Sequence, residues 1–88
     1  MNNKIPLLDF SISIKKMGQD TYLIRGQEAW KINEVAEVVC MLSDGKNTIA
    51  DIIKKISLEF NEQAGTIEKD ITELIDFLMK QEIIEVNS

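Results

Sequence analysis

The hydrophobic period of this chain changes once, near Asn33, and this change constrains the fold more than any other feature. Before Asn33, apolar residues occur in short alternating runs, which are typical of strands with one buried face. After Asn33 they recur every three or four residues, as on one face of a helix. The pattern therefore predicts strands first and helices afterwards, which is an α+β domain.

Three short strands are predicted in the first part of the chain. Their ranges are Phe10–Ile14, Thr21–Arg25 and Glu28–Ile32. Gly18 and Gly26 mark the two connections, since glycine favours tight turns. Strands joined by such short connections form an antiparallel meander.

Three helices are predicted in the second part. Their N-caps are Asn33, Thr48 and Thr66, and Asp51 completes a capping box with Thr48. Gly45 is placed to take the left-handed conformation after the first helix. The segment Ile83–Val86 is either a short terminal strand or an irregular tail.

The predicted fold class is a winged helix-turn-helix-like α+β fold, in which a three-stranded antiparallel sheet is followed by three helices. A chain of 88 residues has too little apolar material for a second core. We therefore expect one domain that spans residues 1–88.

The residue types that are missing exclude most enzyme classes. The chain has no His and a single Cys, so it has no imidazole base or ligand and no internal disulfide. Cys40 lies in an apolar helix without a cationic neighbour, which indicates a core thiol. We expect no catalytic residue, no metal and no cofactor. Because there is neither a signal peptide nor an 18-residue apolar run, we also expect a cytoplasmic protein without membrane contact.

Charge is distributed unevenly along the chain. Residues 1–33 carry a net charge of +2, whereas residues 34–88 carry −7. A small winged helix-turn-helix DNA-binding regulator is the alternative function, but acidic side chains dominate the third helix and would repel phosphates. We therefore expect no nucleic-acid partner. A structural subunit that does not recognise peptides is a second alternative.

The Glu28–Ile32 strand offers a different kind of site. If it is an edge strand beside the third helix, its unpaired main-chain groups can accept an extended peptide. Trp30 is then either a core anchor or a wall of the groove, and its shared face with Ile32 favours the core.

Several short segments follow a familiar pattern: Ile32-Asn33, Leu42-Ser-Asp-Gly45, Thr48-Ile-Ala-Asp-Ile52, Asp70-Ile71, Phe77-Leu78 and Ile83-Ile84. With these segments the chain resembles the PqqD-like family, and the resemblance covers roughly residues 7–86. The chain departs from the family at Glu82, where Gly is frequent, and at Gln27, where Pro is frequent.

The resemblance implies a non-catalytic recognition element for ribosomally synthesised and post-translationally modified peptides (RiPPs), such as lasso peptides or pyrroloquinoline quinone. Such domains bind the leader of a precursor peptide as an added strand, between the third strand and the third helix. They then present it to a maturation enzyme, such as a leader peptidase, a cyclase or a radical-SAM protein. The peptide-binding residues implied here are Gln27, Glu28, Ala29, Trp30, Lys31, Ile32, Asp70, Glu73, Leu74 and Phe77.

Overall fold

The computed structural model describes residues 2–87, except for the side chain of Ala64. The elements in chain order are β1 (Ile5–Leu8), β2 (Ser13–Met17), β3 (Asp20–Arg25), β4 (Glu28–Ile32), α1 (Glu34–Leu42), α2 (Ile49–Glu59), α3 (Ala64–Lys80) and β5 (Ile84–Asn87). The prediction of an α+β fold with antiparallel strands and three helices is confirmed.

Strands β2, β3 and β4 form one antiparallel sheet in that order. Each of its two hairpins has a two-residue loop that begins with glycine, and Gly18 and Gly26 have φ values of 68° and 59°. A positive φ at the first loop residue is what a type II′ turn requires, and this turn suits the twist of a hairpin. Gly26 therefore sets the register in which β4 pairs with β3, and Gly18 sets that of β2 with β3.

The predicted strand Phe10–Ile14 is wrong at both ends, because β2 spans Ser13–Met17. The Asp9 carboxylate accepts hydrogen bonds from the main-chain N–H and the hydroxyl of Ser11, and the Ile12 N–H donates to the Asp9 carbonyl. Asp favours such turns because its side chain can satisfy the main chain locally. Phe10 lies in this turn and is 98% exposed.

Strands β1 and β5 form a separate two-stranded antiparallel sheet. The sequence did not predict β1, whereas the segment at Ile83–Val86, left open as strand or tail, forms most of β5. Pro6 is tolerated in β1 because its main chain faces away from β5: its carbonyl accepts a hydrogen bond from the Gly45 N–H, so the missing N–H removes no bond from the β1–β5 ladder.

Two of the three predicted N-caps are confirmed. The Asn33 side chain accepts a hydrogen bond from the Ala36 N–H at 2.8 Å, and Thr48 and Asp51 form the reciprocal capping box. The third is wrong, since α3 begins at Ala64 after Gln63. Asn61 ends α2 with a φ of 54°, so the chain turns early and re-enters a helix before Thr66.

The core consists mainly of isoleucines from the helices, which pack against Leu23 of the sheet. Cys40 belongs to this core, and burial raises the pKa of its thiol to about 12. The prediction of a structural cysteine is therefore confirmed. Within residues 2–87, none of the helices has the length and apolar character needed to cross a membrane.

Candidate functional site

Within residues 2–87, strand β4 pairs with a neighbour on one side only. Opposite residues in an antiparallel ladder alternate between pairs that exchange both hydrogen bonds and pairs that exchange none. The two-residue loop makes Arg25 and Glu28 a hydrogen-bonded pair, so the main-chain groups of Ala29 and Lys31 point away from β3. This edge can therefore pair with one more strand.

A hollow of about 470 Å³ lies between β4, α3 and the start of α1. Leu23 and Leu78 are almost fully buried at this hollow, while Phe77 is 47% exposed. The lining residues are mostly apolar: Leu23, Ala29, Trp30, Lys31, Ile32, Asn33, Ala36, Leu74, Phe77 and Leu78. The open strand edge thus lies beside an apolar wall.

The structure brings six of the ten sequence-predicted site residues together around this hollow. They are Ala29, Trp30, Lys31, Ile32, Leu74 and Phe77. Trp30 is half-buried: it packs on the core and also lines the hollow, so neither simple alternative for its role is complete.

The other four predicted residues lie outside the lining. Gln27 is in the hairpin loop, and Glu28 begins β4 in a 3.5 Å ion pair with Arg25. Asp70 and Glu73 are exposed on α3. Because residues four apart are neighbours on a helix surface, Asp70 lies one turn before Leu74 on the same flank. The structure therefore does not bring these four residues together with the lining of the hollow.

Sequence reasoning missed four lining residues. Leu23 pairs with Trp30 in the sheet, and the glycine turns could have revealed this register. Asn33 and Ala36 come from the start of α1, where Asn33 was recognised only as a cap. Leu78 was named only as part of the family resemblance.

Arg25 was also missed, although it connects the sheet to the end of α3. Its guanidinium donates to the carbonyls of Gln81 and Glu82, both at 3.1 Å, and lies 5.4 Å from the centre of the Trp30 ring. A cation is favourable at a helix C-terminus, where carbonyl groups lack partners. Arg25, at the end of β3, therefore links the C-terminus of α3 to the sheet.

The chemistry of this hollow is that of binding. Lys31 is the one ionisable group among the described lining residues, and Trp30 and Phe77 contribute large apolar surfaces. The outward main-chain groups of β4 offer hydrogen bonds that do not depend on the side chains of the bound chain. This edge strand beside an apolar helix face places the protein in the class of domains that bind an extended chain by strand addition.

Comparison with known proteins agrees with this class. Residues 21–84 match the family described as Coenzyme PQQ synthesis protein D (PqqD), and the chain belongs to this family. The matched range contains the whole lining of the hollow. The resemblance found in the sequence is therefore confirmed.

Among similar curated proteins are those named PqqA binding protein from two xanthomonads, Xanthomonas euvesicatoria pv. vesicatoria (strain 85-10) and Xanthomonas oryzae pv. oryzae (strain PXO99A). Each is 28% identical over 64 residues, which cover 73% of this chain and 70% of the relative.

Two solved structures share the fold. One is the PqqD truncation of Methylobacterium extorquens PqqCD, described as a functional and stand-alone RiPP recognition element; it has a TM-score of 0.78 and 21% identity, over 91% of this chain and 87% of its own. The other is TbiB1 in complex with the TbiA(beta) leader peptide, with a TM-score of 0.73 and 18% identity, over 90% and 94%.

Proposed function

We propose that this chain is a peptide chaperone that binds the leader of a ribosomally synthesised precursor peptide and presents the peptide to a maturation enzyme. The observation that carries the proposal is the position of the open β4 edge beside the apolar hollow. The residues 1–88 act as one recognition domain in the cytoplasm, and the domain itself performs no catalysis.

Three findings support this function. The curated relatives carry the name PqqA binding protein, and one structural neighbour is described as a recognition element. TbiB1, the other neighbour, was solved with a leader peptide. Each describes a protein that engages a peptide, which is what an edge strand with an apolar wall is suited to do.

The mechanism of the chaperone is proximity. Main-chain hydrogen bonds to Ala29 and Lys31 hold the leader as a fourth strand, and alternate leader side chains enter the hollow. The rest of the precursor then remains close to an enzyme bound to the same domain. This raises the effective concentration of the substrate without any chemical step by the domain.

The chemistry of the surface also indicates which leader side chains are favoured. Leu, Ile or aromatic residues suit the hollow beside Trp30, Leu74 and Phe77. Lys or Arg suits the flank of α3, where Asp70 and Glu73 are exposed. The favoured leader therefore combines apolar anchors with at least one basic residue.

We also propose that the fold is winged helix-turn-helix-like, an arrangement that the alternative function of DNA binding shares. In that arrangement α3 is the recognition helix, but it carries the exposed acidic residues Glu68, Asp70, Glu73 and Asp76. Proteins that bind duplex DNA place cations against its phosphates. The acidic surface of α3 therefore favours the peptide-binding proposal.

Amide NMR titration tests the proposal directly. The probes are synthetic peptides from short reading frames beside the gene for this chain, together with PqqA and the TbiA(beta) leader. We expect a bound peptide to shift the amides of Ala29 and Lys31 and those around Leu74 and Phe77. Saturating shifts confined to β2 or α2 would contradict the proposed groove, and failure of every probe would contradict leader binding.

A charge reversal on α3 tests the preference for basic leaders. Asp70→Lys should weaken binding of a Lys- or Arg-containing probe by about three- to tenfold, because opposite charges become like charges where the bound peptide passes this flank of α3. Asp76→Lys is the matched control, since Asp76 is exposed on the same helix and pairs with Lys80 at 3.0 Å. Equal effects of the two variants would show a general charge effect rather than a local contact.

A further inference from the structure

Phe10 is the most exposed large apolar side chain in the described part of the molecule, at 98%. Its position is held by neighbours on both sides. The Asp9 N–H donates to the Ile83 carbonyl, and the Asp9 carboxylate closes the turn through Ser11. The Asp9 pKa is lowered by the hydrogen bonds that Ser11 donates, so this carboxylate stays charged. Phe10 is therefore presented by an ordered turn.

The surface next to this turn is apolar and acidic. A hollow of about 280 Å³ is lined by Asp9, Met79, Glu82, Ile84 and Glu85, and Met79 is 38% exposed. We call Phe10, Met79 and the three carboxylates of this hollow the Phe10 surface. It offers an aromatic group for insertion and a negative rim, a combination that recurs at the centres of protein interfaces.

The Phe10 surface and the proposed leader-binding site, which is the apolar hollow beside β4, lie on different flanks of α3. Phe77 lines the leader site and Met79 lines the other hollow. Two residues along a helix are about 200° apart, so these side chains point in nearly opposite directions. A partner on the Phe10 surface therefore leaves the β4 edge open.

We propose that the Phe10 surface docks the maturation enzyme, through an apolar pocket of aromatic size rimmed by Lys or Arg on that enzyme. The proposal rests on the proposed function, because it supplies the second attachment that presentation requires. The acidic rim formed by Asp9, Glu82 and Glu85 selects a basic protein surface and disfavours anionic lipid and nucleic acid.

Another exposed apolar residue provides a matched control. Leu58 on α2 is 75% exposed and lies beside Lys54 and Glu68, so its surroundings carry both signs of charge. Leu58→Ser and Phe10→Ser each remove one exposed apolar side chain, and neither residue belongs to the buried core. Both variants are therefore expected to fold.

The experiment measures two affinities for each variant. The first probe is the purified leader peptidase, cyclase or radical-SAM protein encoded beside the gene for this chain, and the second is the leader peptide that binds the wild-type domain. Phe10→Ser should weaken enzyme binding at least about tenfold. Glu85→Lys should weaken it by about threefold or more, and increasing NaCl from about 0.05 M to about 0.5 M should weaken wild-type binding in the same direction.

We expect every variant to bind the leader within about twofold of the wild-type affinity. We also expect Leu58→Ser to bind the enzyme within about twofold of the wild-type affinity. Unchanged enzyme affinity for Phe10→Ser would overturn the proposal, as would a loss caused by Leu58→Ser instead. Self-association in sedimentation that depends on Phe10 would also overturn it, because the partner would then be a second copy. If no leader binds the wild-type domain, the proposed function fails. If the leader binds normally but Phe10→Ser leaves enzyme binding unaltered, only the inference about the Phe10 surface fails.

Discussion

The three-stranded sheet has two edges, and in the described part of the chain the β4 edge borders the apolar hollow. By the same alternation that turns Ala29 and Lys31 outward on β4, the two-residue loop after Met17 turns Ile14 and Lys16 outward on β2. Four of the five residues of β2 are exposed. Both edges therefore offer main-chain hydrogen bonds, but their surroundings differ.

The surroundings decide which edge is suited to bind a peptide. The hollow that includes Lys16 also reaches Lys31 and Ile32 at the end of β4, and it is lined mainly by polar and charged side chains. The hollow at β4 has Trp30 on one side and Leu74 and Phe77 on the other. Main-chain hydrogen bonds to a peptide replace hydrogen bonds to water, so they contribute little net free energy of binding. Burial of apolar side chains must therefore supply most of the affinity.

The largest expected effect is on stability, and it separates the buried side of α3 from the side that faces the hollow. Ile71 is fully buried, and Ile71→Ala should lower the free energy of unfolding by about 2–5 kcal/mol because it leaves a cavity. Phe77 is 47% exposed, and Phe77→Ala should lower it by less than about 1.5 kcal/mol while weakening leader binding. Urea unfolding followed by Trp30 fluorescence measures the stability of both variants.

The two alanine variants control for each other. Similar losses of stability would mean that Phe77 is part of the core rather than of a binding wall. A stable Phe77→Ala domain with wild-type leader affinity would place the peptide elsewhere.

The next effect tests the two edges by removing one outward N–H from each. Lys31→Pro removes a donor that points away from β3, which an edge strand tolerates, and should weaken leader binding at least about tenfold. Lys16→Pro makes the equivalent change on β2 and should alter affinity by less than about twofold. Calorimetric titration with the same leader peptide compares them. Equal losses for both variants would show that strand addition is not restricted to β4.

The smallest effect concerns the C-terminus of α3, where Arg25 is bound. Glu82 has a φ of 57°, and the N–H groups of Glu82 and Ile83 donate to the carbonyls of Met79 and Leu78. This is a Schellman motif, in which glycine avoids the cost of a side chain in the left-handed region. Glu82→Gly should therefore raise the free energy of unfolding by about 0.5–1 kcal/mol.

Glu82→Ala is the control for this prediction, because it removes the same carboxylate but keeps a Cβ atom. Thermal unfolding should show a gain for glycine over alanine. A lower stability of Glu82→Gly than of Glu82→Ala would mean that the added freedom of the unfolded chain exceeds the relief of strain.

Features encoded by neighbouring residues could be predicted from the sequence. The caps at Asn33 and Thr48 and the turns at Gly18 and Gly26 depend on side chains within three residues, and all are present. Phe10 misled because its alternation with Ile12 resembles a strand, while the local bonds of Asp9 favour a turn. Local pattern could not distinguish these two outcomes.

Features that depend on distant pairing could not be predicted. β1 pairs with β5 almost a chain length away, and nothing near Pro6 indicates that partner. The same holds for the site: β4 and α3 were identified, but the lining by Ala36 depends on how α1 packs against them. Arg25 was missed because the carbonyls it binds belong to Gln81 and Glu82.

The β1–β5 ladder has a consequence for how the domain folds. Ile5 pairs with Asn87 and Leu8 with Ile84, so this sheet joins segments that are far apart in the sequence. Bringing such distant segments together costs more loop entropy than forming the local hairpins β2–β3 and β3–β4. We therefore expect the hairpin that carries β4 to form early in folding and the β1–β5 ladder to close last. Pulse-labelling hydrogen exchange would show this order as late protection of the Leu8 and Ile84 amides, and simultaneous protection of both sheets would contradict it.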